Sequence, residues 1–191
     1  MTMQAPLLSS QDFACPAILL SGPVDQSMYL SFKNGLAAAP AEGLVVIEIS
    51  TLGGDPEIAR MMGEDIRFQS EMRPQRRLVF LGKTAVYSAG ATFMGFFATE
   101  NRYLTRGTRV MIHERLITKT VELQGPLSTC IAPLKAALNE IEASIAIQNE
   151  GFANLINGSR VAMDEILRRA PENWYLEATE AAELGLVAAV L

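Results

Sequence analysis

Hydrophobic residues alternate along the chain between short continuous runs and longer runs in which they recur every three or four positions. Three short runs rich in branched residues, typical of strands buried in a parallel sheet, lie at residues 17–20, 44–49 and 77–81. A helical pattern follows each run, ending near Ala39, beginning at Pro56, and extending from Ser88 to Phe97. Strands that alternate with helices predict an α/β fold with a mainly parallel sheet.

The second half of the chain continues this alternation around one long helix. Apolar and polar residues alternate from Leu116 to Leu123, which indicates an extended arm. Residues 127–157 then have helical spacing, with Pro133 expected to break or kink the helix early. Further strands are predicted at residues 103–104, 110–112 and 186–190, and further helices at residues 163–170 and 177–184.

The N-terminal residues lack a clear pattern. They contain Pro6, Ser9 and Ser10, which is typical of a terminal arm that is ordered only when another segment holds it. The chain of 191 residues is long enough for one domain with a full core. We therefore predict a flexible arm at residues 1–16 and one domain at residues 17–191.

The composition and net charge of the chain indicate which classes of partner to expect. Hydrophobic residues make up 49% of the chain and charged residues 19%, as in a compact globular protein. The formal net charge of −5 argues against nucleic acid, because proteins that bind phosphates carry a basic surface. No nucleic-acid partner is expected.

The termini and cysteines favour a cytoplasmic protein without a metal. No Lys or Arg precedes Lys33, so a secretory signal is not predicted, and no apolar run approaches the ~20 residues needed to cross a membrane. Cys15 and Cys130 lie far apart and are interpreted as reduced thiols, with no ligand spacing for a metal. We expect a cytoplasmic location, no membrane partner and no cofactor.

The only histidine, His113, lies 25 residues after Ser88. A serine hydroxyl needs a base within hydrogen-bond reach to act as a nucleophile, and imidazole is the usual base near neutral pH. Alone, Ser88 could be a helix N-cap and His113 a core histidine. Val86 stands where the α/β-hydrolase elbow requires glycine, so that fold is disfavoured.

The glycine pair Gly53-Gly54 follows the second predicted strand. It could be a plain turn, since glycine tolerates positive φ. Alternatively, glycine lets the main chain approach a reacting carbonyl closely, so its N–H and that of Ala89 could form an oxyanion hole. A serine, a histidine and a glycine loop in this order favour a serine hydrolase.

Four segments are similar to the proteolytic subunit of Clp protease, within the Clp/crotonase superfamily. They are Ile-Glu-Ile-Ser-Thr-Leu-Gly-Gly at residues 47–54, Tyr-Ser-Ala-Gly-Ala at 87–91, Arg-Val-Met-Ile-His at 109–113, and residues 175–187. The third segment matches the family's histidine segment at every position, and the serine-to-histidine spacing matches without a gap. The resemblance covers roughly residues 17–191.

This resemblance implies a Clp/crotonase-like fold of repeated β-β-α units, with a mainly parallel sheet and a protruding strand-helix handle. Ser88 corresponds to the nucleophile and His113 to the general base, with the amides of the Gly53-Gly54 loop and Ala89 as the oxyanion hole. Peptides or unfolded proteins would be hydrolysed through an acyl-enzyme. The handle, made by the arm at residues 116–123 and the long helix, implies a ring-forming homo-oligomer.

The resemblance is incomplete at three places. Alignment on the C-terminal segment places Arg169 at the position of the family's triad aspartate, and a cation cannot stabilise an imidazolium. Glu172 or Asn173 are the substitutes that we consider, ahead of other nearby carboxylates. Leu52 replaces a proline before the glycine pair. The segment before Ala17 has no counterpart to the family's gate segment, so the sequence gives no support for an ATPase partner.

Three functions stay open at this point. The first is a Clp-like serine endopeptidase with an atypical third triad residue, in which Lys83 or Lys119 is a possible alternative base. The second is a non-catalytic structural subunit of a mixed ring, for which Arg169 is the main argument. The third is a crotonase-like enzyme that uses the glycine loop on an acyl-thioester.

Overall fold

The computed structural model describes residues 8–191 and contains seven strands and six α-helices within that range. The strands are β1 (Ile18–Ser21), β2 (Gly43–Thr51), β3 (Arg76–Tyr87), β4 (Arg102–Leu104), β5 (Arg109–Ile112), β6 (Trp174–Glu177) and β7 (Ala189–Val190). The helices are α1 (Gln26–Ala38), α2 (Pro56–Met72), α3 (Ala89–Met94), α4 (Leu127–Ile156), α5 (Met163–Arg169) and α6 (Ala178–Glu183).

The strands form one sheet in the order β1-β2-β3-β4-β7, with β5 and β6 as a branch. The long strand β3 makes this branch possible, because Phe80 to Gly82 pair with β4 whereas Ala85 to Tyr87 pair with β5. Every pairing is parallel except that of β5 with β6. The predicted mainly parallel sheet is therefore confirmed.

Both faces of the central strands are buried, as their continuous apolar runs predict. In β2, Val45, Ile47 and Ile49 contribute to the larger core, which includes residues of all six helices. Val46 points to the opposite face and packs in a smaller cluster with Val79 and Tyr103. The alternation of one strand between two cores fixes its register, because a slip of one residue would exchange the two faces.

The smaller core includes part of the expected N-terminal arm. Residues 8–16 of that arm are described, and Ser10–Phe13 form a short 3-10 helix. The Phe13 ring is buried and lies 4.8 Å from that of Tyr103, centroid to centroid. The N-terminal residues 1–7 lie outside the described residues, and the division of the chain at residue 17 stays a prediction.

A buried arginine joins the sheet to the surrounding helices. The Arg102 guanidinium on β4 is fully enclosed, and burial lowers its pKa to about 10. Its nitrogens donate hydrogen bonds of 2.6–3.3 Å to the main-chain carbonyls of Gly95, Phe97, Asn154, Leu155 and Leu186. One side chain thus connects the ends of α3 and α4 with the segment that leads into β7.

The long helix α4 is continuous from Leu127 to Ile156, so Pro133 does not end it. Only Gln148, Phe152 and Leu155 of this helix are buried, all in its last third. Six exposed apolar residues recur at steps of three and four along the rest, at 40–87% exposure: Leu127, Ile131, Leu134, Leu138, Ile141 and Ile145. We call these six residues the apolar face of α4. Within the described residues, no helix is long and apolar enough to cross a membrane.

Three predicted elements differ from the structure. Helix α3 ends at Met94 rather than near Phe97, and the last strand is limited to residues 189–190. The expected arm at residues 116–123 has no regular secondary structure. A strand needs a neighbour to complete its main-chain hydrogen bonds, and residues 8–191 of the single chain provide none there. The handle is therefore represented by α4 and an irregular segment, without its strand.

Candidate active site

Ser88 and His113 meet at the ends of two neighbouring strands. Ser88 directly follows β3 and His113 directly follows β5, and these strands pair in parallel. The Ser88 main-chain N–H donates to the Met111 carbonyl at 2.8 Å, which fixes the serine beside β5. The two side chains are half-buried, and His113 Nε2 lies 2.6 Å from Ser88 Oγ. This is the contact that a base must make to accept the serine proton.

The main chain at Ser88 is strained. Its φ of 55° and ψ of −112° lie outside the regions that residues with a side chain favour. A non-glycine residue with positive φ is stable only where the surrounding structure imposes it, and such residues cluster at functional sites. The sharp change of direction exposes Oγ at the point where β3 ends and α3 begins.

The loop after β2 lies against this serine. Gly53 donates its N–H to Thr51 Oγ1 at 3.0 Å and accepts from the Val24 N–H at 2.9 Å, so both of its main-chain groups are engaged. By contrast, the N–H groups of Gly54 and Ala89 donate no hydrogen bond within the described part of the chain. These two N–H groups are thus free to bind a substrate oxygen.

Each glycine of the loop meets a separate steric demand. A Cβ on Gly53, whose φ is +113°, would lie 2.9 Å from Ser88 Cβ. A Cβ on Gly54, whose φ is +150°, would lie 2.3 Å from the Val24 carbonyl oxygen. The first glycine brings the loop against Ser88, and the second fixes the loop on the segment that follows β1.

Of the proposed third residues, Asn173 is the one next to the described pairing of β5 with β6. The antiparallel register of β5 and β6 ends with Ile112 opposite Trp174, so His113 and Asn173 are the next opposing positions. Asn173 is exposed, and its φ of 58° is left-handed. Glu172 lies one residue farther along, in the 3-10 helix Ala170–Glu172.

Arg169 has a different set of contacts. Its guanidinium lies over the Trp174 ring at 4.3 Å from the centroid, and its Nη1 is 3.4 Å from the Glu165 carboxylate. No described hydrogen bond joins Arg169 to His113. Continuation of the β5–β6 register by one residue would bring Asn173, and not Arg169, opposite His113, although no described hydrogen bond joins His113 to Asn173 or Glu172 either.

The two lysines that were alternative bases are paired elsewhere. Lys83 Nζ lies 2.7 Å from the Glu48 carboxylate, and Lys119 forms an ion pair with Glu140. Both lysine side chains are more than 40% exposed. No described hydrogen bond joins either lysine to Ser88, whose Oγ contacts His113, so neither lysine is placed to activate the serine.

A small cleft of about 40 Å³ lies beside Ser88 and His113. Two arginines, Arg60 of α2 and Arg115 after β5, line it together with apolar residues of α4. Sequence analysis missed these arginines, because they come from segments far apart in the chain. No three His, Cys, Asp or Glu side chains of residues 8–191 are placed to hold a metal ion.

Comparison with known proteins finds similarity in both sequence and fold. No protein-family model matches the chain. ATP-dependent Clp protease proteolytic subunit 2 of Pseudomonas aeruginosa is 25% identical over 178 residues, covering 89% of this chain and 78% of that protein. A solved ClpP1 mutant of Listeria monocytogenes, in which an asparagine is replaced by aspartate, has a TM-score of 0.68. It is 19% identical, and the match covers 91% of this chain and 90% of the other.

The fold is similar to that of a Clp protease subunit, and the predicted α/β class with a mainly parallel sheet is confirmed. Within that class, the chain is similar in sequence and fold to the proteolytic subunits of Clp protease. The resemblance inferred from the four sequence segments is likewise confirmed.

Proposed function

We propose that the protein is a serine peptidase in which Ser88 is the nucleophile and His113 the general base. The observation that carries the proposal is the 2.6 Å contact between His113 Nε2 and Ser88 Oγ. The strained main chain of Ser88 and the free N–H groups of Gly54 and Ala89 support it independently. The similarity to a Clp protease proteolytic subunit supports peptides as the substrate class.

The proposed reaction has two stages. His113 Nε2 accepts the Ser88 proton while Oγ attacks the peptide carbonyl, and the N–H groups of Gly54 and Ala89 stabilise the resulting oxyanion. When the tetrahedral intermediate collapses, His113 donates the proton to the leaving amine and an acyl-enzyme forms. Water, deprotonated by His113, then hydrolyses the ester and restores Ser88.

A fluorophosphonate probe tests the nucleophile directly, because it reacts with activated serines. We expect the wild-type protein to be labelled, and both Ser88→Ala and His113→Ala to lose the label. Ser70→Ala, which removes an exposed serine from α2, serves as the control and keeps the label. Equal labelling of Ser88→Ala and wild type would contradict the proposal.

A second prediction concerns the glycine loop. Gly53→Ala is expected to lower kcat/KM for peptide hydrolysis by about 100-fold or more, because the added methyl group collides with Ser88 and displaces the oxyanion hole. The control is Gly107→Ala, where a Cβ meets nothing within 4 Å. Circular dichroism should show that both variants are folded. Activity within threefold of wild type in folded Gly53→Ala would exclude this role for the loop.

One observation favours the second candidate function, a non-catalytic subunit. Among the described residues, no carboxylate is hydrogen-bonded to His113, whose described side-chain partner is Ser88. If the assembled wild-type protein neither takes the label nor hydrolyses any peptide, the non-catalytic subunit becomes the better proposal.

We also propose that the protein is a homo-oligomer held together through the apolar face of α4, which matches the ring-forming handle implied by the sequence resemblance. Six apolar side chains on one side of a helix are costly to leave in water, and a second copy of the chain offers the same face. We propose two kinds of partner, peptide substrates and further copies of this chain, and no others.

Sedimentation velocity tests the assembly. We expect Leu134→Glu combined with Leu138→Glu to convert the wild-type oligomer into smaller species, because a charge within an apolar contact is not solvated. Asn139→Glu places one carboxylate on an exposed polar position of the same helix and should leave the oligomer intact. An unchanged sedimentation coefficient for the double variant would exclude this contact.

A further inference from the structure

The cleft beside Ser88 and His113 combines an apolar wall with two cationic groups. Ile147, Phe152 and Leu155 of α4 line one side. Arg60 and Arg115 line another, with side chains 31% and 19% exposed. A side chain that enters this cleft can therefore contact both hydrocarbon and guanidinium groups.

The two guanidinium groups share a single carboxylate. Glu57, in the first turn of α2, lies 2.7 Å from Arg60 Nη1 and also forms an ion pair with Arg115. Burial opposes the ionisation of Glu57, but the hydrogen bonds from Arg115 and Arg60 outweigh it, and the net effect lowers the pKa of Glu57. Glu57 is thus ionised near neutral pH, and the three groups together keep one positive charge.

One neighbouring group fixes the main chain of Arg115, and the other nearby carboxylates do not line the cleft. The Gln148 side-chain oxygen, which is buried, accepts the Arg115 main-chain N–H at 2.7 Å. Of the neighbouring carboxylates, Glu64 is paired with Arg67. Glu150 lines a different cleft, on the Arg102 side of α4. Glu114 adjoins His113 in sequence but does not line the cleft.

We propose that this cleft is a specificity site that selects an acidic side chain, aspartate or glutamate, next to the scissile bond of the substrate. The inference rests on the proposed peptidase activity and adds the class of residue that the enzyme recognises. A substrate carboxylate would neutralise the one positive charge that remains on the two arginines and Glu57, and it would accept charge-assisted hydrogen bonds from the guanidinium groups. The methylene groups of the acidic side chain would pack on the apolar wall.

Internally quenched peptides that differ in one residue test the proposal. Mass spectrometry first locates the bond that is cleaved. The residue on one side of that bond, and in a second series the residue on the other side, is then Glu, Gln, Leu or Lys. Glu and Gln have nearly the same shape, so their ratio isolates the charge. We expect wild-type kcat/KM to be about tenfold higher for the Glu peptide than for the Gln peptide, with the Lys peptide the poorest.

Variants assign the preference to the cleft. Arg60→Met should bring the ratio of Glu to Gln close to one. Glu57→Gln removes the counter-charge and should increase the ratio. Arg67→Met is the matched control: it removes an arginine of the same helix that pairs with Glu64 and Glu71, away from the cleft, and should keep the wild-type ratio.

The outcomes separate this inference from the proposed function. If wild type hydrolyses the Gln or Leu peptide as fast as the Glu peptide, acidic specificity is wrong whereas the peptidase activity stands. A preference for Glu that survives unchanged in folded Arg60→Met and Arg115→Met overturns the assignment to this cleft. If no peptide is hydrolysed and Ser88 takes no fluorophosphonate label, the proposed function fails, and the specificity fails with it.

Discussion

Replacement of Arg102 by methionine is expected to lower the free energy of unfolding by about 3–5 kcal/mol. The side chain is enclosed, and its removal leaves five main-chain carbonyl oxygens without their donor. These carbonyls belong to the ends of α3 and α4 and to the segment before β7, so several elements lose their connection at once. Chemical denaturation monitored by circular dichroism measures the effect.

Arg106→Met provides the matched control, because Arg106 is exposed and lies four residues further along the chain. It should change the free energy of unfolding by at most about 0.5 kcal/mol. The pKa of Arg102, lowered to about 10 by burial, still lies above neutral pH, so the group is protonated in both the folded and unfolded states from pH 5 to 9. The Arg102→Met effect should therefore be constant over this range. A loss no larger than that of Arg106→Met would contradict the structural role.

Most of the sheet was predictable, because a strand buried on both faces leaves a continuous apolar run. Residues 44–49 form the centre of β2, and residues 77–81 form the first half of β3. Strand β6 was missed, although its buried and exposed residues alternate from Trp174 to Glu177. Four residues of alternation are a weak signal, and the strand is defined by its antiparallel pairing with β5, which the sequence does not reveal.

This missed strand also explains why the third site residue was left open. Alignment by sequence alone put Arg169 at the triad position and kept Asn173 among the substitutes. The β5–β6 register ends with Trp174 opposite Ile112, and one further step would bring Asn173 opposite His113. The contact of the Arg169 guanidinium with the Trp174 ring could not be predicted either, because it depends on tertiary packing and not on a local sequence pattern.

The order of the motifs along the sequence predicted Ser88, His113 and the glycine pair as candidate site residues. The other residues of the candidate site could not be predicted from the sequence. Ser88 and His113 lie after strands that pair directly, so a parallel sheet brings them together. The cleft arginines come from α2 and from the segment after β5, and their shared contact with Glu57 depends on how these segments pack. The apolar spacing of α4 predicted a helix correctly but did not reveal that most of its apolar side chains face solvent in the single chain.

Asn173→Asp is expected to raise the kcat of peptide hydrolysis by about 10- to 1,000-fold. An asparagine side chain can accept a hydrogen bond from the histidine, but it carries no charge to stabilise the imidazolium that forms when His113 takes the Ser88 proton. In the serine-protease triad, the converse change from aspartate to asparagine lowers turnover by on the order of 10⁴. Steady-state kinetics on the preferred peptide, with the fluorophosphonate labelling rate as a second measurement, tests the expectation.

Two comparisons make this result specific to the position opposite His113. Asn34→Asp adds the same charge at an exposed position on α1 and should leave kcat unchanged. Arg169→Asp restores a carboxylate at the position that sequence alignment selected. It should not raise kcat, because continuation of the β5–β6 register would bring Asn173 and not Arg169 opposite His113. If Arg169→Asp raised kcat and Asn173→Asp did not, the loop before β6 would have to rearrange when the protein binds substrate. The register of β5 and β6 would then no longer identify the residue that orients the histidine.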